Sequence, residues 1–295
     1  MIYFTLPNFC EYPGANHFIA TAAKTMPQIF KEAVTFIQMS GNFAYNYWAG
    51  SYCNMHGPGS YYKDFTAASQ GGIILPIRLL ADNIALEEMD FQNVMNKNIL
   101  ENANTSAVIE IASIPLMDYI SERYIDFKYV FSKQADFITP FTADLVNQII
   151  DFNKFQFIGV PDRLAKDFEF LEAIKGRNKL EMTVNPRCPV KCRHYNECHI
   201  NQHFSQLEFS ATDNITICRN NCLNKNIISL DDIKQDYIPR GINHFTFAQQ
   251  NASIISENDM MAFYIFYFIK PEHQFAIMSQ WLKFQEMQQQ QRRMQ

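Results

Sequence analysis

The chain is predicted to fold as one (β/α)8 barrel with a long cysteine-bearing loop after the seventh strand and extra C-terminal helices. Three observations predict it. Short apolar or β-branched runs alternate with helix-length patterns for most of the length. Eight such runs can be counted. The length of 295 residues suits one barrel, which typically needs about 250. The runs are Ile2–Leu6, Thr35–Met39, Ile73–Ile77, Ala107–Ile111, Phe127–Phe131, Gln156–Val160, Leu180–Val184 and Ile242–Phe247. Near-continuous hydrophobicity marks parallel strands covered on both faces. An open doubly wound sheet is the rival arrangement of the same elements.

Helical patterns fill the gaps. Ile19–Phe30 follows the first run, and Leu86–Leu100, with Glu87, Glu88 and Asp90 in its first turn, follows the third. Acidic side chains there complement the positive end of a helix dipole. Pro115 opens Leu116–Arg123 at a position where its missing N–H is harmless. Thr142–Phe152 and Asp162–Ile174 come next, and Ser229 precedes Leu230–Tyr237 as an N-cap. Glu257–Lys270 and Glu272–Gln285 read as two helices joined at Pro271, with Phe263, Phe266 and Tyr267 as a core stripe. Residues 1–285 are thus expected to form a single domain and 286–295 a frayed Gln-rich tail.

Composition narrows the function classes. Hydrophobic residues make up 47%, enough for a large core, and the net charge of −5 argues against bulk attraction to nucleic acid. The longest apolar run, Met260–Ile269, is about half of the ~20 residues a spanning helix requires, so no membrane association is expected. No basic region precedes the apolar residues of Met1–Pro7. They read as a strand and not a signal peptide, which points to a cytoplasmic protein.

Seven cysteines are an odd number, and in a reducing compartment disulfides explain them poorly. All follow the ends of candidate strands: Cys10 the first, Cys53 the second, and Cys188, Cys192, Cys198, Cys218 and Cys222 the seventh. Loops after strands gather on the C-terminal face of a barrel, where active sites are built. Cys188-x3-Cys192 and Cys218-x3-Cys222 each bring two thiolates within a short loop or one helical turn. Together they supply four soft ligands, suited to tetrahedral zinc or a [4Fe–4S] cluster. Cys198, His194 and His199 are substitute ligands in the same segment. Spacing does not choose between the two groups, but four soft ligands without a clear pair of histidines favour the cluster.

The stretch Leu180-Glu-Met-Thr-Val-Asn-Pro-Arg-Cys188-Pro-Val-Lys-Cys192 resembles the cysteine segment of the U32 peptidase-like proteins. Pro76-Ile-Arg78-Leu-Leu80, Asp162–Ile174, Ile228–Ile233 and Tyr237–Phe245 resemble further parts of that family, in the family's order. The resemblance implies a barrel that binds [4Fe–4S] through four cysteines. It implies one of two activities: peptidase, or oxygen-independent hydroxylation of an RNA base or a small aromatic molecule. Thr246-Phe-Ala-Gln-Gln250 stands where the family carries Lys-x-x-Gly-Arg. That departure motivates a further reading, a non-catalytic binding subunit with a structural zinc or cluster site.

Other candidate residues lie near the expected mouth. Arg78, read at the end of the third strand, is the candidate anion-binding group for a small-molecule or RNA substrate. Tyr45 and His56, in the long loop after the second strand, are candidates to line a pocket for an aromatic ring or base. The aromatic C-terminal helices offer a face for a partner protein or a second copy. No phosphate-binding glycine loop, Gly-x-Ser-x-Gly elbow or His-Glu-x-x-His motif is present.

The segment from Asn185 to Ile228 is polar and lacks apolar periodicity. Ordering it costs roughly 1–2 kcal/mol per residue, which ligation at both ends would offset. Replacing Cys188 or Cys222 with Ser should therefore speed hydrogen exchange across 185–228 alone and leave the strands protected. Unchanged exchange and metal content in both variants would rule these cysteines out as ligands.

Overall fold

The computed structural model describes residues 1–7, 9, 12–41, 48, 75–82, 100–101, 107–124, 127–185, 227–248 and 256–294. Its strands are β1 (Ile2–Leu6), β2 (Val34–Gly41), β3 (Ile77–Ala81), β4 (Val108–Ile111), β5 (Lys128–Phe131), β6 (Phe155–Gly159), β7 (Leu180–Thr183) and β8 (His244–Thr246). Each pairs in parallel with the next, and β8 returns to β1 through Tyr3 opposite His244, closing the barrel. Closure excludes the open doubly wound sheet.

Helices cover the outside. They are α1 (Pro13–Thr25), α2 (Ile114–Arg123), α3 (Ala143–Asp151), α4 (Phe168–Ala173), the short α5 (Leu230–Asp232, running on as a π-helical turn Ile233–Tyr237), α6 (Glu257–Phe268) and α7 (Pro271–Met294). Their starts follow local chemistry. The hydroxyls of Ser113 and Thr142 accept the N–H of Leu116 and Leu145, and Ser229 and Ser256 form reciprocal capping boxes with Asp232 and Asp259. Helix α1 begins six residues before the expected Ile19. Small residues at its start, Gly14 and Ala15, hide its amphipathic pattern but allow close packing: a Cβ on Gly14 would lie 3.0 Å from the Glu257 carboxylate.

Period-two alternation divides the strand side chains into an outer and an inner set. Ile2, Phe4 and Leu6 point outward into the main core beneath the helices. There Phe4, Phe36, Phe247, Tyr267 and Phe268 form a block of rings, Phe4 stacked on Phe247 and the other pairs edge-on or tilted. The junction between α6 and α7 is pinned to the chain before β2. Lys31 N–H donates to the Phe268 carbonyl and Lys270 N–H to the Ile29 carbonyl, at 2.8 and 2.9 Å. Inside the barrel, Val108, Val130 and Phe157 form a separate small apolar cluster with Ile37.

Three expectations are corrected. Strand β3 starts at Ile77, not Ile73: Pro76, which cannot donate to a ladder, precedes it, and the strand continues through Arg78 to Ala81. Helix α7, expected to end at Gln285, continues through the Gln-rich stretch to Met294. Gln is a good helix former and needs no apolar periodicity to propagate a helix already nucleated. Phe266 is not core; it is 71% exposed, beside the Lys31 ammonium at 5.3 Å from its ring centre. No helix among the described residues is long and apolar enough to cross a membrane.

Helix α1 has no side-chain cap of its own. The Glu257 carboxylate supplies one from 242 residues away, accepting the N–H groups of Gly14 at 2.7 Å and Ala15 at 3.0 Å. Glu257→Ala should lower stability by about 1–2 kcal/mol, read as a fall in the midpoint of thermal or urea unfolding.

Candidate active site at the barrel mouth

The inward side chains change character along the barrel axis. Nearest the N-terminal end, His244 stacks on Tyr3 with ring centres 5.0 Å apart and lies 4.2 Å from the Phe157 ring. Burial lowers the imidazole to about 4, so it is neutral at physiological pH. Its Nδ1 is buried and makes no hydrogen bond. It fills the base of the barrel.

Above it lies a charged layer. Barrels of this kind usually fill the interior with branched apolar residues; here Thr5, Gln38, Arg78, Glu110 and Glu181 occupy it. Arg78 is 1% exposed. Its Nη1 donates to Glu181 Oε2 at 2.5 Å and its Nη2 to Glu181 Oε1 at 2.8 Å. Nη1 also reaches Glu110 Oε2 at 3.4 Å, Nη2 reaches Thr5 Oγ1 at 3.3 Å, and Nε donates to Gln38 Oε1 at 2.9 Å. A guanidinium has five N–H donors, and these five contacts account for all of them.

The sequence placed Arg78 at a strand end, as the anion-binding group of the mouth; the structure places it deeper, with its donors on protein groups. It sits at the second position of β3, in the barrel interior, with its donors engaged. An arginine in an apolar run looks like a strand end because burying an isolated charge is so unfavourable. Glu181, from β7, removes that objection.

The two carboxylates respond in opposite directions. Burial pushes Glu181 up, but the charge and hydrogen bonds of Arg78, with a hydrogen bond from Thr5, outweigh it and hold the group below the ordinary range. Burial also pushes Glu110 up, Asp82 and Glu181 add to the rise, and Arg78 opposes it only in part. Glu110 reaches about 7. The Ser132 hydroxyl donates to Glu110 Oε1 at 3.0 Å and accepts the Gln134 N–H at 3.3 Å, fixing the carboxyl from the end of β5.

A cavity of about 50 Å³ opens above this layer at the C-terminal ends of the strands. By the same measure one water needs roughly 10–15 Å³, so it admits a small polar group. Its walls include Ser40, Asp82, Glu110, Lys133, Asp162 and Thr183. Lys133 Nζ donates to Asp162 Oδ1 at 2.6 Å and to Thr183 Oγ1 at 2.9 Å. Gly159 leaves room for that lysine, since a Cβ there would come within 3.0 Å of the Lys133 backbone nitrogen.

Sequence reasoning missed Glu110, Glu181, Lys133 and Asp162. A signal existed for the first two: each is a lone acid in an otherwise apolar strand, Val-Ile-Glu-Ile and Leu-Glu-Met-Thr. The other two lie just after β5 and β6, on the face where chemistry is expected. The candidate ligands Cys188, Cys192, Cys218 and Cys222, the substitutes Cys198, His194 and His199, and the pocket candidates Tyr45 and His56 lie outside the described residues. Among the described residues no group of three or more His, Cys, Asp or Glu side chains is placed to hold a metal ion.

No family model and no curated protein matches the chain. Among the solved structures similar to it are two. One, the U32 peptidase Mk0906, is 14% identical with a TM-score of 0.49, over 85% of this chain and 94% of that one. The other, the carboxyl transferase domain of Rhizobium etli pyruvate carboxylase, is 8% identical with a TM-score of 0.43, over 96% of this chain and 47% of that one. The barrel itself stands on the strand pairing described above.

Glu110 makes the fold pH-sensitive. Its folded value of about 7 lies above the ordinary 4.5, so the stability it contributes is present below 4.5 and is lost as pH rises through 7. The difference amounts to up to about 3 kcal/mol. Glu110→Gln removes the titration. Relative to the unmodified protein, the variant should gain stability between pH 4.5 and 8, measured by urea unfolding across that range. A constant difference over the window would show that Glu110 titrates normally.

Proposed function

We propose that the barrel mouth is the acid–base site of an enzyme acting on a small polar substrate, with Glu110 as the group that takes up and returns the proton. One observation carries this reading: a carboxyl whose surroundings bring it to about 7 forms part of the wall of the mouth cavity. A general acid or base works best with a value near the operating pH. Lys133 and Thr183, on the same wall, would orient a substrate oxygen beside it.

The finer reading adds a metal group. Cys188, Cys192, Cys218 and Cys222 would hold a [4Fe–4S] cluster, or alternatively zinc, with Cys198, His194 and His199 as substitute ligands. In support, the segment that carries them leaves and rejoins the barrel at one place. The Ile228 N–H donates to the Val184 carbonyl at 2.7 Å, and the Asn185 side chain accepts the Ala248 N–H at 2.6 Å. The Ile228 carbonyl in turn accepts the Tyr267 hydroxyl at 2.6 Å. Both ends of the segment are therefore anchored beside the end of β7, and four thiolates are the donor set such a cluster takes. A bound cluster would supply one-electron chemistry. With it the site would suit hydroxylation of an RNA base or small aromatic substrate, with Tyr45 and His56 packing against the ring. Peptidase activity is the alternative; a structural zinc or cluster site in a non-catalytic binding subunit is the other.

Anaerobic purification followed by iron, sulfide and zinc analysis separates these readings. Iron and acid-labile sulfide in equal amounts are expected, lost together in Cys188→Ser. Zinc without iron would overturn the cluster and favour the structural role. In any turnover assay with this protein, Glu110→Gln should lower the rate by about 10²-fold or more while leaving the metal content intact; an unaffected rate would remove Glu110 from the chemistry.

A further inference from the structure

We propose that Arg78 and Glu181 are positioning residues that act through Glu110. Glu181 takes the guanidinium bidentately, and the weaker share left to Glu110 is what lets Glu110 exchange a proton with an occupant of the cavity. This rests on the reading of Glu110 as the proton carrier and deepens it.

The geometry is a competition of two carboxylates for one cation. Glu181 receives two bonds, at 2.5 and 2.8 Å, and a third from the Thr5 hydroxyl at 3.0 Å. Glu110 receives a single long contact at 3.4 Å from the same guanidinium. With its donors engaged, Arg78 offers nothing to a ligand directly, so its effect on the cavity passes through the carboxylates it holds. The asymmetry has a structural source. Glu181 is 3% exposed and sits beside both donor arms, while Glu110, at 16%, leans toward the mouth and the Ser132 hydroxyl. The deeper carboxylate gains most from the cation because it has least access to water.

The groups facing Glu110 are Arg78 and Asp82 from β3 and the residue after it, Glu181 from β7, and the Ser132 hydroxyl from the end of β5. Lys133 and Asp162 share the cavity but form their own pair. His244, from β8, faces Arg78 and Glu181 and is neutral at physiological pH. The division of Arg78 between two carboxylates can be altered by a change that leaves both the guanidinium and Glu110 in place.

Glu181→Gln makes that change. It keeps the shape of the side chain and removes its charge, so Glu110 becomes the counter-ion of Arg78. The Glu110 carboxyl should then titrate lower by about one pH unit or more. Arg78→Gln should move it the opposite way. Arg78→Lys, which restores a charge without the fork, should return it toward the unmodified value. The measurement is a carboxyl-carbon NMR titration of protein labelled at glutamate, with Glu110 assigned by loss of its signal in Glu110→Gln and folding of each variant checked by thermal unfolding. Should Arg78→Gln fail to fold, Glu181→Gln and Arg78→Lys decide the matter. A Glu110 signal that stays put or rises in Glu181→Gln overturns this inference alone. Titration of Glu110 near 4.5 in the unmodified protein would instead overturn the reading of Glu110 as the proton carrier, and this inference with it.

Discussion

The bidentate pair between Arg78 and Glu181 is the constraint on which the interior of this barrel depends. It joins β3 to β7 across the barrel, 103 residues apart in sequence. Such a pair is not retained for stability alone. Desolvating two charges offsets most of their attraction, and well-packed apolar residues often do as well. Losing one partner is different, because it strands a charge that has neither water nor counter-ion, at about 3–5 kcal/mol. The pair therefore couples these two strand positions to each other.

A charged layer halfway up the barrel divides its interior. Below it the contents are apolar rings and aliphatic chains, Val108, Val130, Phe157 and the neutral His244. Above it are a cavity, a lysine paired with an aspartate, and hydroxyls. The layer is polar enough to serve as the floor of a site and rigid enough to hold Glu110 where its ionisation is evenly balanced. Burial, two neighbouring carboxylates and one partly shared cation act on that group together. The first three resist ionisation and the last permits it, which brings the balance near neutrality.

The covering shell works by different physics. Its helix starts are set by hydroxyl and carboxylate caps a few residues away, and its interior by aromatic rings packed around Phe247 and Phe268. Long-range contacts bind the C-terminal helices to the first part of the chain, among them the backbone bonds around Phe30 and Ile269, the Tyr264 hydroxyl on Asn16, and the Glu257 carboxylate at the start of α1. The barrel thus closes twice, once through β8 onto β1 and once through α6 onto α1.

The local pattern is written in the residue order. Ile2–Leu6 is legible as a strand from its apolar run. The cap at Ser229 is legible from residue type, because it depends on a contact three positions away; the caps at Ser113 and Thr142 follow the same local chemistry. The alternation of strands and helices narrowed the fold to a barrel or an open sheet. Closure was decided by the pairing of β8 with β1, which no local run records. The tertiary structure also decided where Arg78 lies. A lone arginine in an apolar run reads as a strand end until a carboxylate from a distant strand neutralises it, and the sequence holds no sign of which acid that is. Glu110 and Glu181 occupy the same kind of position, a single acid inside a strand. Burial, the neighbouring carboxylates and the unequal distances to one guanidinium together separate a carboxyl held below the ordinary range from one raised to about 7.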